Sequence, residues 1–235
     1  MQIFAKLLGP LLGYIYSMVS NYPLSIVLFT IFIKVLLMPL TYKQIKSMKD
    51  IQKIQPELQK IQDKYKNDKE MLNVKTMELY KEYKVNPFDS CLPMVIQLPI
   101  LMGMYISMQK PMLYVFNTPA LQEVGKLALS QTFFWVHNLS APDSMHNIFA
   151  NMDFMKSIPG ILPILASVLT YFQTKTMGNT GGQDNQTMRT MNIMMPLMIL
   201  YFGITMSAGL MLYWVVSTLF QIVQQVLMTR LTREG

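Results

Sequence analysis

The sequence predicts an all-α membrane protein with five transmembrane helices, a cytoplasmic antiparallel helical hairpin and an N-terminal interfacial helix. Only 14% of the 235 residues are charged, whereas soluble domains carry about 25%. Several uncharged runs are long enough to cross a bilayer, and residues 191–229 contain no charge at all. Residues 43–90 are charged instead, and their apolar residues recur at helical spacing.

These patterns divide the chain into nine segments. We predict an N-terminal interfacial helix (1–22), a first transmembrane helix (23–42), a cytoplasmic hairpin (43–90), a second transmembrane helix (91–110), an extracellular segment (111–157), a third transmembrane helix (158–175), a cytoplasmic loop (176–190), a fourth transmembrane helix (191–206) and a fifth (210–229).

Residues 1–20 are apolar but short, and Gly9-Pro10 predicts a break within them. The composition fits a signal peptide, a sixth span or a helix lying on the outer membrane surface. No Ala-x-Ala-like cleavage site follows the apolar stretch. Lys6 and the Gly-Pro pair favour the interfacial helix.

Lys34 is the one charge within the first span. It lies eight residues before Tyr42, roughly 12 Å at ~1.5 Å per residue, against a half-thickness of about 15 Å for the hydrocarbon core. A lysine at the bilayer centre costs about 2.5–3.5 kcal/mol on insertion scales. No predicted span contains Asp or Glu, so Lys34 must snorkel toward the cytoplasm or face water and polar groups.

The predicted hairpin has apolar residues at every third or fourth position from Ile45 to Tyr65, and Asp68 is placed to cap a second helix. It holds eleven lysines against eight acidic residues. A simply solvated hairpin and a docking surface for the bilayer or a partner both fit this pattern. Because Lys and Arg are concentrated here, the positive-inside rule places the hairpin and the C-terminus in the cytoplasm.

Polar residues also occur within the other predicted spans, at spacings of three or four. The first span contributes Thr30 and Lys34, and the second contributes Gln97. The third contributes the stripe Ser167, Thr170 and Gln173, and the fifth contributes Tyr213, Ser217, Gln221 and Gln225. The stripes either converge on one hydrophilic groove open to cytoplasmic water or pair helix to helix.

Enzyme signatures are absent from the sequence: there is no HExxH, no P-loop and no GxSxG. We therefore expect no catalytic residues, no cofactor, no metal site and no nucleic-acid binding. His137 and His146 are expected to be ordinary interfacial residues, and the single cysteine, Cys91, cannot form a disulfide within the chain. The 23 methionines fit either gap-filling in an apolar bundle or an adaptable binding surface.

Five stretches carry a family resemblance when taken together and in order. They are FIKVLLMPLTYKQ, KVNPFDSCLPMVIQLPI, WVHNLSAPD, ILPILASVLTYFQ and MPLMILYFGITMSAGLMLYWVVSTLFQIVQQ. In this combination the chain, from about residue 22 to 230, resembles the YidC/Oxa/Alb membrane protein insertases.

The resemblance implies a five-span core, a cytoplasmic hairpin and a groove open to the cytoplasm and lipid but closed outside. Lys34 matches the family's positively charged groove position, where most bacterial members have arginine. Lysine keeps the charge but lacks the bidentate fork of arginine. Gln173 and Trp214, or Tyr213, match polar or aromatic groove positions. The family's large periplasmic domain and long basic tail have no counterpart here, so the short Gram-positive bacterial type is the expected relative.

The function implied is insertion of hydrophobic client segments into the bacterial plasma membrane, with groove residues Thr30, Lys34, Gln97, Gln173, Tyr213, Trp214, Ser217 and Gln221. Expected partners are newly made membrane proteins and the bilayer, with the Sec translocon and the ribosome as further candidates. Two alternatives remain on the residues alone: a small-anion channel or transporter that uses Lys34, and a structural assembly factor for membrane complexes.

Overall fold

The computed structural model describes residues 2–86, 92–147, 158–178 and 186–231. Within these ranges the chain is helical and contains no β-strand, only isolated bridges. The helices are α1 (Gln2–Val19), α2 (Tyr22–Leu36), α3 (Met38–Lys53), α4 (Gln55–Lys64), α5 (Lys69–Glu82), α6 (Leu92–Gln109), α7 (Pro111–Tyr114), α8 (Pro119–Leu129), a 3₁₀ turn (Met145–Asn147), α9 (Ile161–Gly178), α10 (Gln186–Gly203) and α11 (Ala208–Leu231).

Two described helices, Gln2–Val19 and Ala208–Met228, are long and apolar enough to cross a membrane. The bent pair formed by α2 and α3 makes a third if it counts as one span. Val95–Gln109 and Asn192–Gly203 are shorter apolar helices. Residues 87–91, at the end of the predicted hairpin and the start of the second span, residues 148–157 of the predicted extracellular segment and residues 179–185 of the 176–190 loop lie outside the described residues.

The break predicted at Gly9-Pro10 is absent, because α1 runs through Pro10 as one helix. The small residues on its buried face allow this helix to lie very close to its neighbours. A Cβ on Gly9 would come within 2.5 Å of the Tyr114 carbonyl oxygen, and one on Gly13 would collide with the Val115 carbonyl. The tight contact with α6 and the segment after it therefore favours a single helix despite the proline.

A two-residue turn joins α1 to α2. Ser20 adopts φ 55°, which ends α1, and the Asn21 side chain accepts a 2.9 Å hydrogen bond from the Leu24 amide to cap α2. Gln131 holds this turn from outside: its Oε1 accepts from the Tyr22 amide at 2.6 Å and its Nε2 donates to the Ser20 carbonyl at 3.0 Å. We call this end of the molecule the loop end, and the end near α4 and α5 the hairpin end.

The sequence predicts one continuous helix over residues 23–42, and the structure differs. Helix α2 ends at Leu36, α3 begins at Met38, and the two axes differ by 60°. Pro39 explains the break, because it has no amide hydrogen to donate to Val35 and its ring crowds the preceding turn. The chain therefore changes direction only a few residues after Lys34.

Helices α4 and α5 pack against each other around a small core of their own, formed by Ile54, Leu58 and Leu79. The Asp68 side chain accepts a 3.0 Å bond from the Met71 amide and so caps α5 as the sequence predicts. The Tyr83 hydroxyl donates to Glu57 Oε1 at 2.7 Å and joins the two helices. This bond raises the pKa of the Tyr83 phenol above its usual value.

The main core lies among the apolar helices and the segments that join them at the loop end. Helix α11 packs against α2 and α9, and α9 packs against α10. Helix α6 packs mainly against α1 and only lightly against α11. The bundle thus has two blocks, α1 with α6 and α9 with α10, on either side of α2 and α11.

We predict that Gly13→Leu lowers the thermal unfolding temperature of the purified protein in detergent, because the new side chain cannot fit against the Val115 carbonyl. Overpacking of this kind costs about 1–3 kcal/mol. Met18→Leu, on the exposed face of the same helix, is the control and should leave the transition unchanged. Equal transitions for both variants would show that α1 is not tightly packed.

Candidate functional site

Lys34 is buried inside the bundle, with 5% of its surface exposed. It lies twelve residues after Tyr22, about 18 Å along the α2 axis. Helical side chains lean toward the N-terminus of their own helix, which directs Lys34 away from the hairpin end. Its ammonium donates a 3.1 Å hydrogen bond to Gln97 Oε1 on α6, so in this structure the side chain does not snorkel to the surface.

Gln97 connects Lys34 to α11. Its Nε2 donates to the Tyr213 hydroxyl at 2.7 Å, and this fixes the amide with its oxygen toward the lysine. Tyr213 and Ser217, one turn apart on α11, share a further hydrogen bond. We call these four residues the lysine cluster: Lys34, Gln97, Tyr213 and Ser217.

The lysine cluster contains no carboxylate. The ion pairs found among the described residues are Lys53–Asp50 and Lys75–Glu78, both on the exposed helices of the hairpin end. Lys34 is therefore a buried cation whose observed partner is neutral. A cation in this position favours the approach of any acidic or strongly polar group that can replace the amide.

Three of the other predicted groove residues, Gln173, Trp214 and Gln221, make hydrogen bonds between α9 and α11 instead. Gln173 Nε2 donates to Gln221 Oε1 at 2.5 Å, and the Trp214 indole donates to Thr170 Oγ1 at 3.1 Å. Thr30 is buried and donates to the Ile26 carbonyl of its own helix. The eight residues thus fall into the lysine cluster, an α9–α11 set and Thr30, which bonds within its own helix; Gln97, Gln173 and Trp214 make contacts between helices.

The loop end is closed by backbone hydrogen bonds to the start of α11. The Ala208 amide donates to the Ala141 carbonyl at 2.7 Å, and the Gly209 amide donates to Leu139 at 2.9 Å. The fully buried Asp143 accepts from the Leu162 amide at 2.9 Å and from the Trp135 indole at 3.3 Å. We call this arrangement the loop-end seal.

Several buried polar residues were not singled out by the sequence, among them Gln44, Gln224 and Asp143. Gln44 on α3 and Gln224 on α11 are 5% and 6% exposed, and neither side-chain nitrogen finds a partner among the described residues. Gln44 falls on the charged stretch assigned to the hairpin, where a glutamine is expected to be exposed to solvent. Asp143 lies far in sequence from the helix that it caps, so no local spacing rule could identify it.

Comparisons with known proteins agree with this architecture. The family model described as the 60Kd inner membrane protein matches residues 14–234. A protein of Fusobacterium nucleatum named membrane protein insertase YidC is 39% identical over 207 residues, covering 88% of this chain and 85% of the relative. The protein of the same name from Caldanaerobacter subterraneus is 35% identical, covering 99% of this chain and 97% of its own.

Longer relatives carry additional sequence. The YidC of Pelobacter propionicus is 34% identical, and this chain spans 39% of its length. A crystal structure of an active YidC insertase with its first transmembrane domain resolved superposes with a TM-score of 0.64 at 25% identity, covering 94% of this chain and 45% of that one. With a family model across most of its length and relatives at this identity, the chain belongs to the 60Kd inner membrane protein family, the family of the YidC insertases.

Proposed function

We propose that this chain is a membrane protein insertase that passes the polar flank of a client segment across the lysine cluster while the apolar part enters lipid. The proposal includes five spans: α2 with the start of α3, then α6, α9, α10 and α11. Helix α1 is the interfacial helix, at the outer surface. The loop end faces outward, and the helices α4 and α5 form a cytoplasmic hairpin, in keeping with their many lysines.

The observation that carries the proposal is the neutral partner of Lys34. An amide oxygen satisfies the ammonium geometrically but does not neutralise it. A carboxylate on a client adds the attraction of an opposite charge to the hydrogen bond, which the neutral amide cannot supply. The client can therefore displace Gln97, and the amide recovers the lysine when the client moves on.

Apolar side chains exposed on α6 and α10 supply the second part of the mechanism. Val95 and Leu98 of α6 and Ile193, Met194 and Leu197 of α10 are all exposed. These two helices belong to different blocks of the bundle, so we place the path of the client segment between them. The segment leaves sideways, driven by apolar burial in lipid of ~25 cal/mol per Å².

The loop-end seal argues against the alternative of an anion channel. A channel needs a polar route past Lys34 to both sides of the membrane. At the loop end, the start of α11 is bonded directly to Ala141 and Leu139, and buried apolar side chains lie beneath these bonds. An insertase needs access from the cytoplasm and the lipid alone.

The proposed mechanism requires partners on both the client side and the membrane side. Clients are newly made membrane proteins, and the bilayer receives them. The exposed hairpin helices, with Met71, Val74 and Met77 on the surface of α5, offer a place for the Sec translocon or the ribosome to dock at the cytoplasmic surface. The role of a purely structural assembly factor would not require the buried cation.

We expect Lys34→Arg to retain insertion and Lys34→Ala or Lys34→Glu to lose most of it for clients with acidic translocated flanks. Hydrogen bonds to charged groups contribute about 1.5–3 kcal/mol, which corresponds to roughly ten- to hundredfold in rate. Insertion into proteoliposomes, scored by protease protection of the flank, measures the effect. The control is the same client with a neutral flank, and native rates with Lys34→Glu on the acidic client would exclude the mechanism.

A second prediction concerns Gln97. Gln97→Glu gives Lys34 a resident carboxylate, so acidic clients must compete with an ion pair and their insertion should slow. Gln97→Met is the matched control: it removes the bond to Lys34 without adding charge and should preserve insertion of acidic clients better than Gln97→Glu. The reverse order in the same assay would show that Gln97 acts by positioning and not by being displaced.

The third prediction tests access to the lysine cluster. Single cysteines at positions 34 and 217 in a Cys91→Ser background should react with a membrane-impermeant thiol reagent from the cytoplasmic side only, and faster while a client is engaged. Cysteine at Phe134, exposed at the loop end, is the control and should react from outside. Labelling of position 34 or 217 from outside would favour the channel.

A further inference from the structure

A cavity of about 400 Å³ opens between α2 and α9 at the loop end, away from the lysine cluster. Helix α11 forms its floor with Leu212, Val215 and Val216, which share one face of that helix. Val27 and Leu165 form its sides. All the lining residues are apolar, so the cavity suits an apolar occupant.

An aromatic turn covers the outer end of this cavity. Phe133 and Val136 exchange both of their backbone hydrogen bonds, at 2.8 and 2.9 Å. This forces Phe134 to φ 52°, a left-handed conformation that bulky residues rarely adopt. The Phe134 ring is 79% exposed and stacks on Trp135, whose indole is fixed by Asp143.

The position of this turn indicates where it lies in the bilayer. The loop end is the outer end of the bundle in the proposed function, on which this inference rests. Exposed aromatic rings at that level belong to the interfacial belt, where an apolar body and a wet edge are both accommodated. An unusual backbone conformation that holds a ring over an apolar cavity therefore makes sense if something apolar enters beneath it.

The mouth of the cavity is continuous with the lipid-facing surface. Leu24 and Leu28 on α2 and Ile164 on α9 are exposed beside it. Two turns of a helix about 10 Å wide need roughly 850 Å³, about twice the cavity volume. A partner helix is therefore too large, whereas one hydrocarbon chain is narrow enough.

The depth of the cavity matches one leaflet. Val216 lies eight residues after the start of α11, about 12 Å along the axis, against a half-thickness of about 15 Å. We infer that this cavity binds one acyl chain of an outer-leaflet phospholipid, with the headgroup beside Phe134 and Trp135. The bound chain fills the space between α2 and α9 and supports α11 on the side next to Tyr213 and Ser217.

The site can be tested with the full-length protein in vesicles of phosphatidylethanolamine and phosphatidylglycerol, where one lipid carries a diazirine in an acyl chain. After irradiation, mass spectrometry of peptides should show several-fold more lipid adduct on Val27, Val215 and Val216 than on Leu219 and Val223, which are exposed farther along α11. Equal adducts at both sets would mean ordinary bilayer contact and would overturn the inference. Adducts that appear only with inner-leaflet probe would overturn it too.

Variants separate the cavity from the general lipid surface. Val216→Trp should fill the cavity and remove the excess adduct, and Val223→Trp should not. Phe134→Asn suits the left-handed backbone and should leave the fold intact while reducing the adduct several-fold; Phe134→Tyr should retain it. Unchanged labelling in both Val216→Trp and Phe134→Asn would refute the site.

The controls keep this inference distinct from the insertase mechanism. Lys34→Ala should abolish insertion of acidic clients and leave the adduct pattern unchanged. A native protein that inserts clients but shows no excess adduct at the cavity would overturn only the lipid site. A photoreactive amino acid at position 216 that crosslinks to a client or to a second copy of the chain, and not to lipid, would overturn it in favour of a protein partner.

Discussion

The hydrogen bond between Lys34 and Gln97 is the contact on which the proposed response to a client depends. A buried ammonium is costly unless it is hydrogen-bonded and neutralised. Here the first requirement is met and the second is not, because the acceptor is an amide held in place by Tyr213. In the proposed mechanism, this missing negative charge lets the lysine respond to a carboxylate brought by a client.

The same chain of bonds joins the α1–α6 block to the two helices beside it, α2 and α11. Gln97 is on α6, which packs mainly on α1, whereas Tyr213 is on α11, which packs on α9 and α2. Since α6 and α11 touch only lightly, the side chain of Gln97 is an important polar connection between these two helices. A shift of α6 would lengthen its bonds to both Lys34 and Tyr213 and release the lysine to a new partner.

Much of this was readable from the sequence, and the exceptions have physical causes. Lys34 could be found because a charge inside an apolar run is rare, and Asp68 because a helix cap is local. Gln97 lies 63 residues from Lys34 along the chain, and Tyr213 lies 116 residues from Gln97. Their meeting therefore depends on helix packing. The helix through Pro10 and the bend after Leu36 show the same limit: proline disrupts a helix only where its neighbours do not hold the backbone in place.

Helix α11 unites the two ends of the molecule. Its first turn is fixed by the loop-end seal, Tyr213 lies one to two turns further on, and Gln221 reaches α9 beyond that. Because the start of the helix is bonded to Ala141 and Leu139, motion that exposes the lysine cluster is easier at α6 than at α11. The face of α11 that lines the cavity is adjacent to the face that carries Tyr213 and Ser217. An apolar chain lodged beside Val215 and Val216 would therefore further restrain α11. In the proposed mechanism, a fixed α11 and a loosely packed α6 together let the site open toward the lipid and the hairpin end while the loop end stays closed.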